Sequence, residues 1–187
     1  MKCRICLNDI KEISREEGNS AGRCSKCGQI YISADENKTG IRENPWGGSG
    51  LFDKFRIALT WLRMKKLNIE YGTSVLEIGY GRGVLLEKFY KSGCSISGVE
   101  AGLITETENE FLKKNAELFE GDIEIIELPE KKYDLIYGIH LIEHIEDSEA
   151  FFDKCKKSLK KNGTVYFITP NGNSLGTKIF GYSWWNY

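Results

Sequence analysis

The sequence lacks the features that would place this chain in a membrane or on a nucleic acid. Its longest apolar runs are a handful of residues, so we expect neither a transmembrane helix nor a secretory leader. Its formal net charge is −1, from 26 basic and 27 acidic residues, so no global field favours nucleic acid or an anionic membrane. We therefore expect a cytoplasmic protein whose six cysteines stay reduced, without membrane or nucleic-acid partners.

Two common nucleotide-binding motifs are also absent. Gly79, Gly81 and Gly83 alternate with other residues. The sixth position counted from Gly79 is Val84, so the dinucleotide pattern Gly-x-Gly-x-x-Gly fails. No Gly-x-x-x-x-Gly-Lys-Ser/Thr occurs either, which excludes a P-loop. What remains is a single acidic residue, Glu77, ahead of three alternate glycines.

The segment around these glycines predicts a strand, a tight turn and a helix. Val75, Leu76 and Ile78 are typical of a short buried strand, and an apolar helical face begins at Val84. Only glycine lets the backbone turn sharply there while a ligand lies directly against it. A strand followed by a glycine turn and a helix N-terminus begins a nucleotide-type site in an open α/β sheet. Because Glu77 stands near the glycines in place of a phosphate-binding group, the ligand should carry an ammonium group and a ribose.

Other strands and helices can be placed along the chain from their patterns. A second strand over 95–99 ends at Glu100, where a carboxylate can accept both ribose hydroxyls. Asp147 is the expected N-cap of a later helix. The remaining predictions are a helix over 51–69, a polar helix over 103–115, strands over 116–120 and 164–168, and a turn over 160–163. The 51–69 helix should bury Leu51, Phe55, Ala58 or Leu59, Leu62 and Leu67, with Phe52, Trp61 and Met64 widening that face, and the helix after Asp147 should bury Ala150, Phe151, Cys155 and Leu159.

Several landmarks together resemble a known family. The segment Glu77–Gly83 resembles motif I of the class I S-adenosylmethionine-dependent methyltransferases. Tyr133-Asp134-Leu-Ile and His140-Leu-Ile-Glu-His144 resemble motif IV and the loop after the fourth strand. The resemblance implies a Rossmann-like, doubly wound, mostly parallel α/β sheet. It also implies that S-adenosylmethionine is held by Glu77, Gly79, Tyr80, Gly81, Gly83, Glu100, Asp122, Ile123 and His140, with Asp122 and Ile123 meeting the adenine.

The same resemblance implies an activity. We expect methyl transfer to an O, N or C nucleophile of a small-molecule methyl acceptor, such as a sugar or another metabolite. His144 is the predicted general base, because histidine titrates near neutral pH and this loop lies beside the central crevice. Glu143 could orient its ring. The alternative is that His144 only caps or packs the loop, since positioning alone can sustain much of such a reaction.

Four cysteines near the start of the chain predict a metal site. Cys3-x-x-Cys6 and Cys24-x-x-Cys27 are separated by 17 residues, a spacing typical of a structural zinc ribbon. About 30 residues cannot bury enough apolar surface to fold alone, so the ion would supply the missing free energy. Free or partly oxidised cysteines and a redox Cys-x-x-Cys are the alternatives. Cys94 and Cys155 are expected to be ordinary buried residues.

The expected domain organisation is a zinc ribbon over 1–33, a linker or lid over 34–50 and a methyltransferase core over 51–187. Class I cores carry seven strands, whereas only five can be counted here before the aromatic segment Gly181–Tyr187. We therefore expect a partner chain or a missing C-terminal segment to complete the sheet. The competing hypothesis is a non-catalytic module, a zinc ribbon on a degenerate core, that docks a protein or RNA. Intact Glu77, Glu100 and Asp122 favour the enzyme.

Overall fold

The computed structural model describes residues 2–3, 5–16, 19–33, 50–67, 69–101, 109–172 and 174–180. These residues belong to two compact units, 1–43 with 170–187 and 44–169. The predicted linker over 34–50 lies outside the described residues except for Gly50, as do residues 181–187. The domain boundaries predicted from the sequence stay a prediction.

The first unit contains a small antiparallel sheet. Strands β1 (Ile10–Glu16), β2 (Asn19–Cys24) and β3 (Ile30–Ser33) pair in that order. Two tight turns flank the sheet: the amide of Leu7 bonds to the carbonyl of Cys3 at 2.9 Å, and that of Gly28 to Cys24 at 3.1 Å. Leu7 and Gly28 both have positive φ, 60° and 76°. Each cysteine pair therefore sits on its own turn.

The second unit is built on a parallel sheet. In chain order its elements are α1 (Gly50–Met64), β4 (Ser74–Ile78), α2 (Val84–Lys91), β5 (Ser95–Glu100), α3 (Glu110–Asn115), β6 (Ala116–Glu120), β7 (Tyr133–Ile139), α4 (Ser148–Ser158) and β8 (Leu159–Ile168). The described strands run in the order β6-β5-β4-β7-β8, and every neighbouring pair is parallel. This confirms the predicted Rossmann-like sheet. A last helix, α5 (Leu175–Phe180), belongs to the first unit.

Helices cover both faces of this sheet. Alternate residues of each strand point to opposite faces, so Val75 of β4 packs with α1, α2 and α3, and Leu76 packs with α4. The two cores are anchored by Phe89 of α2 and Phe151 of α4, both almost fully buried. Among the described residues, no helix combines the length and apolar character needed to cross a bilayer.

The face that α1 buries differs from the prediction. Phe55, Leu59 and Leu62 are 63%, 42% and 59% exposed, whereas Met64 is fully buried and Trp61 packs edge-on against Phe89 at 5.1 Å. Ala58 is also exposed, and the side chains of residues 51–53 lie outside the described set. The predicted apolar stripe was therefore wrong at Phe55, Ala58, Leu59 and Leu62 and is confirmed at Trp61, Met64 and the half-buried Leu67. Its members Leu51 and Phe52 stay predictions. The helix also ends at Met64: after the Lys65 amide, which still bonds to Trp61, the amides of Lys66 and Leu67 bond only three residues back, to Arg63 and Met64.

Two further expectations need correction. Residues 160–163 lie inside β8 as an irregularity of the ladder, with Tyr133 opposite Leu159 and Leu135 opposite Thr164, so the predicted turn is wrong. Asn162 absorbs the extra length with φ 68°. In α4, Asp147 caps the helix by accepting from the Ala150 amide at 3.0 Å, as predicted. Ala150 is exposed, however, and the buried side is formed by Phe151, Cys155 and Ser158.

Candidate cofactor site and metal centre

The glycine turn after β4 has the backbone that the sequence predicted. Gly79, Gly81 and Gly83 all have positive φ, at 74°, 50° and 67°. Among the described residues, a Cβ placed on Gly79 would meet only Leu141 Cδ1, at 3.8 Å, which leaves room for a ligand beside this glycine. A Cβ on Gly83 would lie 2.1 Å from Leu112, so this glycine lets α2 pack closely on α3. The turn thus combines ligand access at one end with helix packing at the other.

Glu100 lies against this turn. One carboxylate oxygen, Oε2, accepts from the amide of Gly81 at 2.9 Å, and Oε1 accepts from the amide of Ala101 at 3.2 Å. The backbone carbonyl of Glu100 accepts from Gly121 at 2.8 Å, which ties the end of β5 to the end of β6. The strand ends that carry the glycines, Glu100 and Asp122 therefore share one edge of the sheet, where open α/β folds bind ligands.

Glu77 is buried beneath the turn, and no Lys, Arg or His of the described part of the chain pairs with it. It is 5% exposed and accepts a 2.8 Å hydrogen bond from the hydroxyl of Tyr137, its cross-strand partner on β7. The pKa of Glu77 is raised to about 8, chiefly by burial; hydrogen bonds from Tyr137 and the Leu86 backbone lower it, and the charge of Glu100 adds to the rise. A carboxyl in this setting favours a positively charged neighbour. The sequence reasoning missed Tyr137, since nothing but the strand register shows that the two side chains meet.

The ring of Tyr80 faces the core. It is 7% exposed and its Cδ1 lies 2.5 Å from where a Cβ on Gly98 would be, so Gly98 makes room for the ring. The cofactor contact predicted for Tyr80 stays a prediction.

Asp122 and Ile123 lie in a turn that α4 holds in place. The Nζ of Lys154 donates to the carbonyls of Ile123, Glu124 and Ile126 at 2.6, 3.0 and 2.7 Å. The carboxylate of Glu124 accepts from the amide of Asp147, the α4 cap, at 2.8 Å. Asp122 itself is exposed and Ile123 is 5% exposed. The sequence did not point to Lys154 and Glu124, because a single charged residue on a helix or on a turn has no local pattern that marks it as part of a site.

The two histidines have different surroundings. Nδ1 of His140 lies 3.3 Å from Oε1 of Glu143, whose Oε2 accepts from the Thr169 hydroxyl at 3.1 Å. His144 is exposed on a single 3-10 turn, and no hydrogen bond or ion pair joins its ring to another described residue. The expectation that Glu143 orients His144 is therefore wrong: Glu143 is paired with His140. Adjacent residues on a tight turn project in different directions, whereas a spacing of three brings His140 and Glu143 together.

The four N-terminal cysteines come together as predicted. Their sulfur atoms all lie within 4.8 Å of one another, with Cys3–Cys27 at 3.5 Å and Cys6–Cys24 at 3.4 Å. Four ligands at 2.3 Å from a tetrahedral zinc stand about 3.8 Å apart, so this cluster fits that ion. The hydroxyl of Tyr31 lies 3.4 Å from Cys3 Sγ, and this contact chiefly lowers the pKa of Cys3, to about 6. Cys94 and Cys155 are buried, as predicted.

Comparison with known proteins agrees with this geometry. The sequence profile of the family described as "Methyltransferase domain" matches residues 52–186. The chain belongs to this methyltransferase family. An S-adenosylmethionine-dependent methyltransferase from Mesorhizobium loti, 19% identical, shares the fold with a TM-score of 0.52 over 57% of this chain and 51% of that one.

More similar sequences come from small-molecule methyltransferases. The ubiquinone biosynthesis O-methyltransferase of Coxiella burnetii is 30% identical over 109 residues, covering 54% of this chain and 45% of that protein. The structure of coclaurine N-methyltransferase bound to N-methylheliamine and SAH is 27% identical, with a TM-score of 0.55 over 65% of this chain and 38% of that one. This methyltransferase chain spans about half the length of the curated relatives it matches.

Proposed function

We propose that this chain is an S-adenosylmethionine-dependent methyltransferase that acts on an O, N or C nucleophile of a small molecule. The observation that carries the proposal is the 2.9 Å contact between the Glu100 carboxylate and the amide of Gly81, at an open glycine turn. This contact brings Glu100, at the end of β5 and proposed to bind the ribose, to the backbone of the glycine turn. The methionine part of the cofactor is proposed to lie against that backbone. The relatives named for O- and N-methyl transfer support a small-molecule acceptor.

The residues of this edge have separate proposed roles. Glu100 holds the two ribose hydroxyls, and Asp122 and the backbone of Ile123 meet the adenine. Glu77 lies beneath the glycine turn, where the positive charge of a bound cofactor would favour loss of its proton. When bound, S-adenosylmethionine supplies an activated methyl group for in-line displacement. The protein's contribution is then mainly positioning, which can lower the barrier by about 7–11 kcal/mol. The sequence points to His144 as the general base, but the pairing of His140 with Glu143 favours His140 for that role.

Calorimetry with S-adenosylhomocysteine tests the cofactor assignment. Glu100→Ala removes charge-assisted hydrogen bonds that contribute roughly 1.5–3 kcal/mol each, so we expect affinity to fall at least tenfold. Glu117→Ala is the control, because that carboxylate lies on the neighbouring strand and pairs with Lys132 instead. Unchanged affinity in the Glu100 variant would contradict the assignment, and tighter binding of NADH than of S-adenosylhomocysteine would contradict the proposed function.

We also propose that Cys3, Cys6, Cys24 and Cys27 bind one structural Zn²⁺. The mutual sulfur distances, all within 4.8 Å, support a single tetrahedral ion.

A further inference from the structure

The loop after β7 places His140 beside the glycine turn. Ile78 of β4 lies opposite Gly138 of β7, so the residues that follow each strand leave the sheet side by side. The next residue after His140, Leu141, reaches within 3.8 Å of the Cβ position on Gly79. The amide of His140 donates to the carbonyl of Ile168 at 2.8 Å, which fixes this point of the backbone to β8.

The backbone at His140 is strained. Its φ is 54°, a left-handed value that a residue with a β-carbon adopts only at a cost. Non-glycine residues held in this way cluster at functional sites, where the surrounding structure fixes them. Here the left-handed residue carries an imidazole that is 36% exposed and lies 3.3 Å from Glu143, in the loop at the carboxyl edge of the sheet.

Glu143 determines which nitrogen of that imidazole carries the proton when the ring is neutral. A neutral imidazole has one nitrogen that donates and one that accepts, and the partner of one nitrogen sets the role of the other. Burial alone would raise the pKa of Glu143, but hydrogen bonds from His140, a backbone amide and Thr169 outweigh it and lower the pKa. An ionised carboxylate 3.3 Å from Nδ1 requires the proton on Nδ1 and leaves Nε2 as the acceptor.

We infer that His140 and Glu143 form a dyad in which Glu143 holds the Nδ1 proton and Nε2 of His140 accepts the proton that the methyl acceptor loses. The inference rests on the proposed function for the reaction itself. As the new bond to the methyl carbon forms, the carbon–sulfur bond breaks and its electron pair stays on sulfur. The acceptor's proton moves to Nε2, and Glu143 stabilises the resulting imidazolium, as an acidic partner does for other catalytic histidines. His140 is the catalytic residue, and Glu143 and Thr169 position it.

Imidazole nitrogen chemical shifts test the dyad without any substrate. The chain has only two histidines, and His140→Asn and His144→Asn assign the two rings. At mildly alkaline pH, where imidazoles are neutral, we expect His140 protonated on Nδ1. Glu143→Ala should shift His140 toward the Nε2-protonated form, and Thr169→Val should shift it partway, while His144 stays unchanged. Glu149→Ala, which removes an exposed carboxylate on α4, is the control. An Nε2-protonated His140 in the unaltered protein, or no response to Glu143→Ala, would overturn the inference.

Chemical modification tests the position of the free nitrogen. Diethyl pyrocarbonate acylates neutral imidazoles, and peptide mass spectrometry separates the two sites. Saturating S-adenosylhomocysteine should slow acylation of His140 at least fivefold and leave His144 reactive. Protection of His144 alone would overturn the inference in favour of His144.

Turnover separates this inference from the proposed function. The probe is methyl-labelled S-adenosylmethionine with a small-molecule cell extract. We expect His140→Asn to reduce labelling at least about a hundredfold, with affinity for S-adenosylhomocysteine within threefold of the unaltered protein. His144→Asn should stay within threefold in both. The reverse pattern refutes His140 while keeping the methyltransferase, whereas failure of the unaltered protein to bind S-adenosylhomocysteine refutes the proposed function.

Discussion

At the scale of single residues, the most unusual group is the Glu77 carboxyl. It is fully buried against Tyr137 with no positive partner among the described residues. Burying a charge without a partner is costly, so the group keeps its proton to a higher pH than it would in water. The folded protein therefore binds one proton more than the unfolded chain over the range between the two pKa values.

This additional bound proton makes the free energy of unfolding depend on pH. The pKa of Glu77 is about 8 when folded and 4.5 ordinarily, so the contribution of this group is complete below about pH 4.5 and is lost as pH rises toward 8. We expect the free energy of unfolding to fall by up to about 1.4 kcal/mol per pH unit in that range. Glu77→Gln should flatten the slope. Urea titrations at several pH values measure it, and an equal slope in both proteins would contradict the assignment.

The cofactor edge was predictable from sequence only in part. Alternating glycines and an acidic residue at a strand end have a local pattern, so the glycine turn and Glu100, which contacts Gly81, could be predicted to lie at one edge of the sheet. Tyr137 could not be found this way, because its contact with Glu77 depends on the register between two strands far apart in sequence. The pairing of Glu143 with His140 depends on the geometry of one turn, which spacing alone leaves open.

At the scale of elements, strands were easier to predict than helix faces. The strand Ser74–Ile78 carries the apolar residues Val75, Leu76 and Ile78, and both of its faces are covered. Helix α1 carries apolar residues around much of its circumference, so its sequence permits more than one buried stripe. Packing of Trp61 on Phe89 selects one of them. Lys160–Gly163 has turn-forming residues, but Leu159 and Thr164, on either side of it, both pair with β7, so the segment stays within the strand as an irregularity.

Helix α4 is hydrogen-bonded to the turn that contains Asp122 and Ile123, which we propose meets the adenine. These bonds lead to a prediction at the scale of elements. Lys154 satisfies three carbonyls of the turn, and Lys154→Met leaves them without this partner. Hydrogen bonds to a charged group contribute roughly 1.5–3 kcal/mol, so we expect a lower melting temperature and at least fivefold weaker binding of S-adenosylhomocysteine. Lys156→Met, on the exposed side of the same helix, is the matched control. If Lys154→Met melts earlier but binds as before, the turn does not form part of the site.

At the scale of the whole molecule, the two units differ in what holds them together. Both hydrophobic cores are formed entirely by residues of the second unit. Among residues 1–33 whose side chains are described, only Cys3 and Cys24 are buried. An antiparallel sheet of three short strands without an apolar core is marginal in water. Metal ligation is therefore the proposed source of stability for the first unit, whereas the second has its own core.

This difference predicts separate responses to metal removal. We expect about one zinc per chain, and a strong chelator should remove it and abolish amide-exchange protection in β1, β2 and β3. Protection in β4 and β7, and affinity for S-adenosylhomocysteine within threefold, should survive because the second unit's core holds no metal ligand. Cys24→Ser should reproduce the effect of the chelator, while Cys94→Ala, which removes a buried thiol of the second unit, should keep the zinc. Amide-exchange protection of β1, β2 and β3 in the metal-free protein would show that these strands fold without an ion. Simultaneous loss of protection in β4 would show instead that the second unit depends on the metal as well.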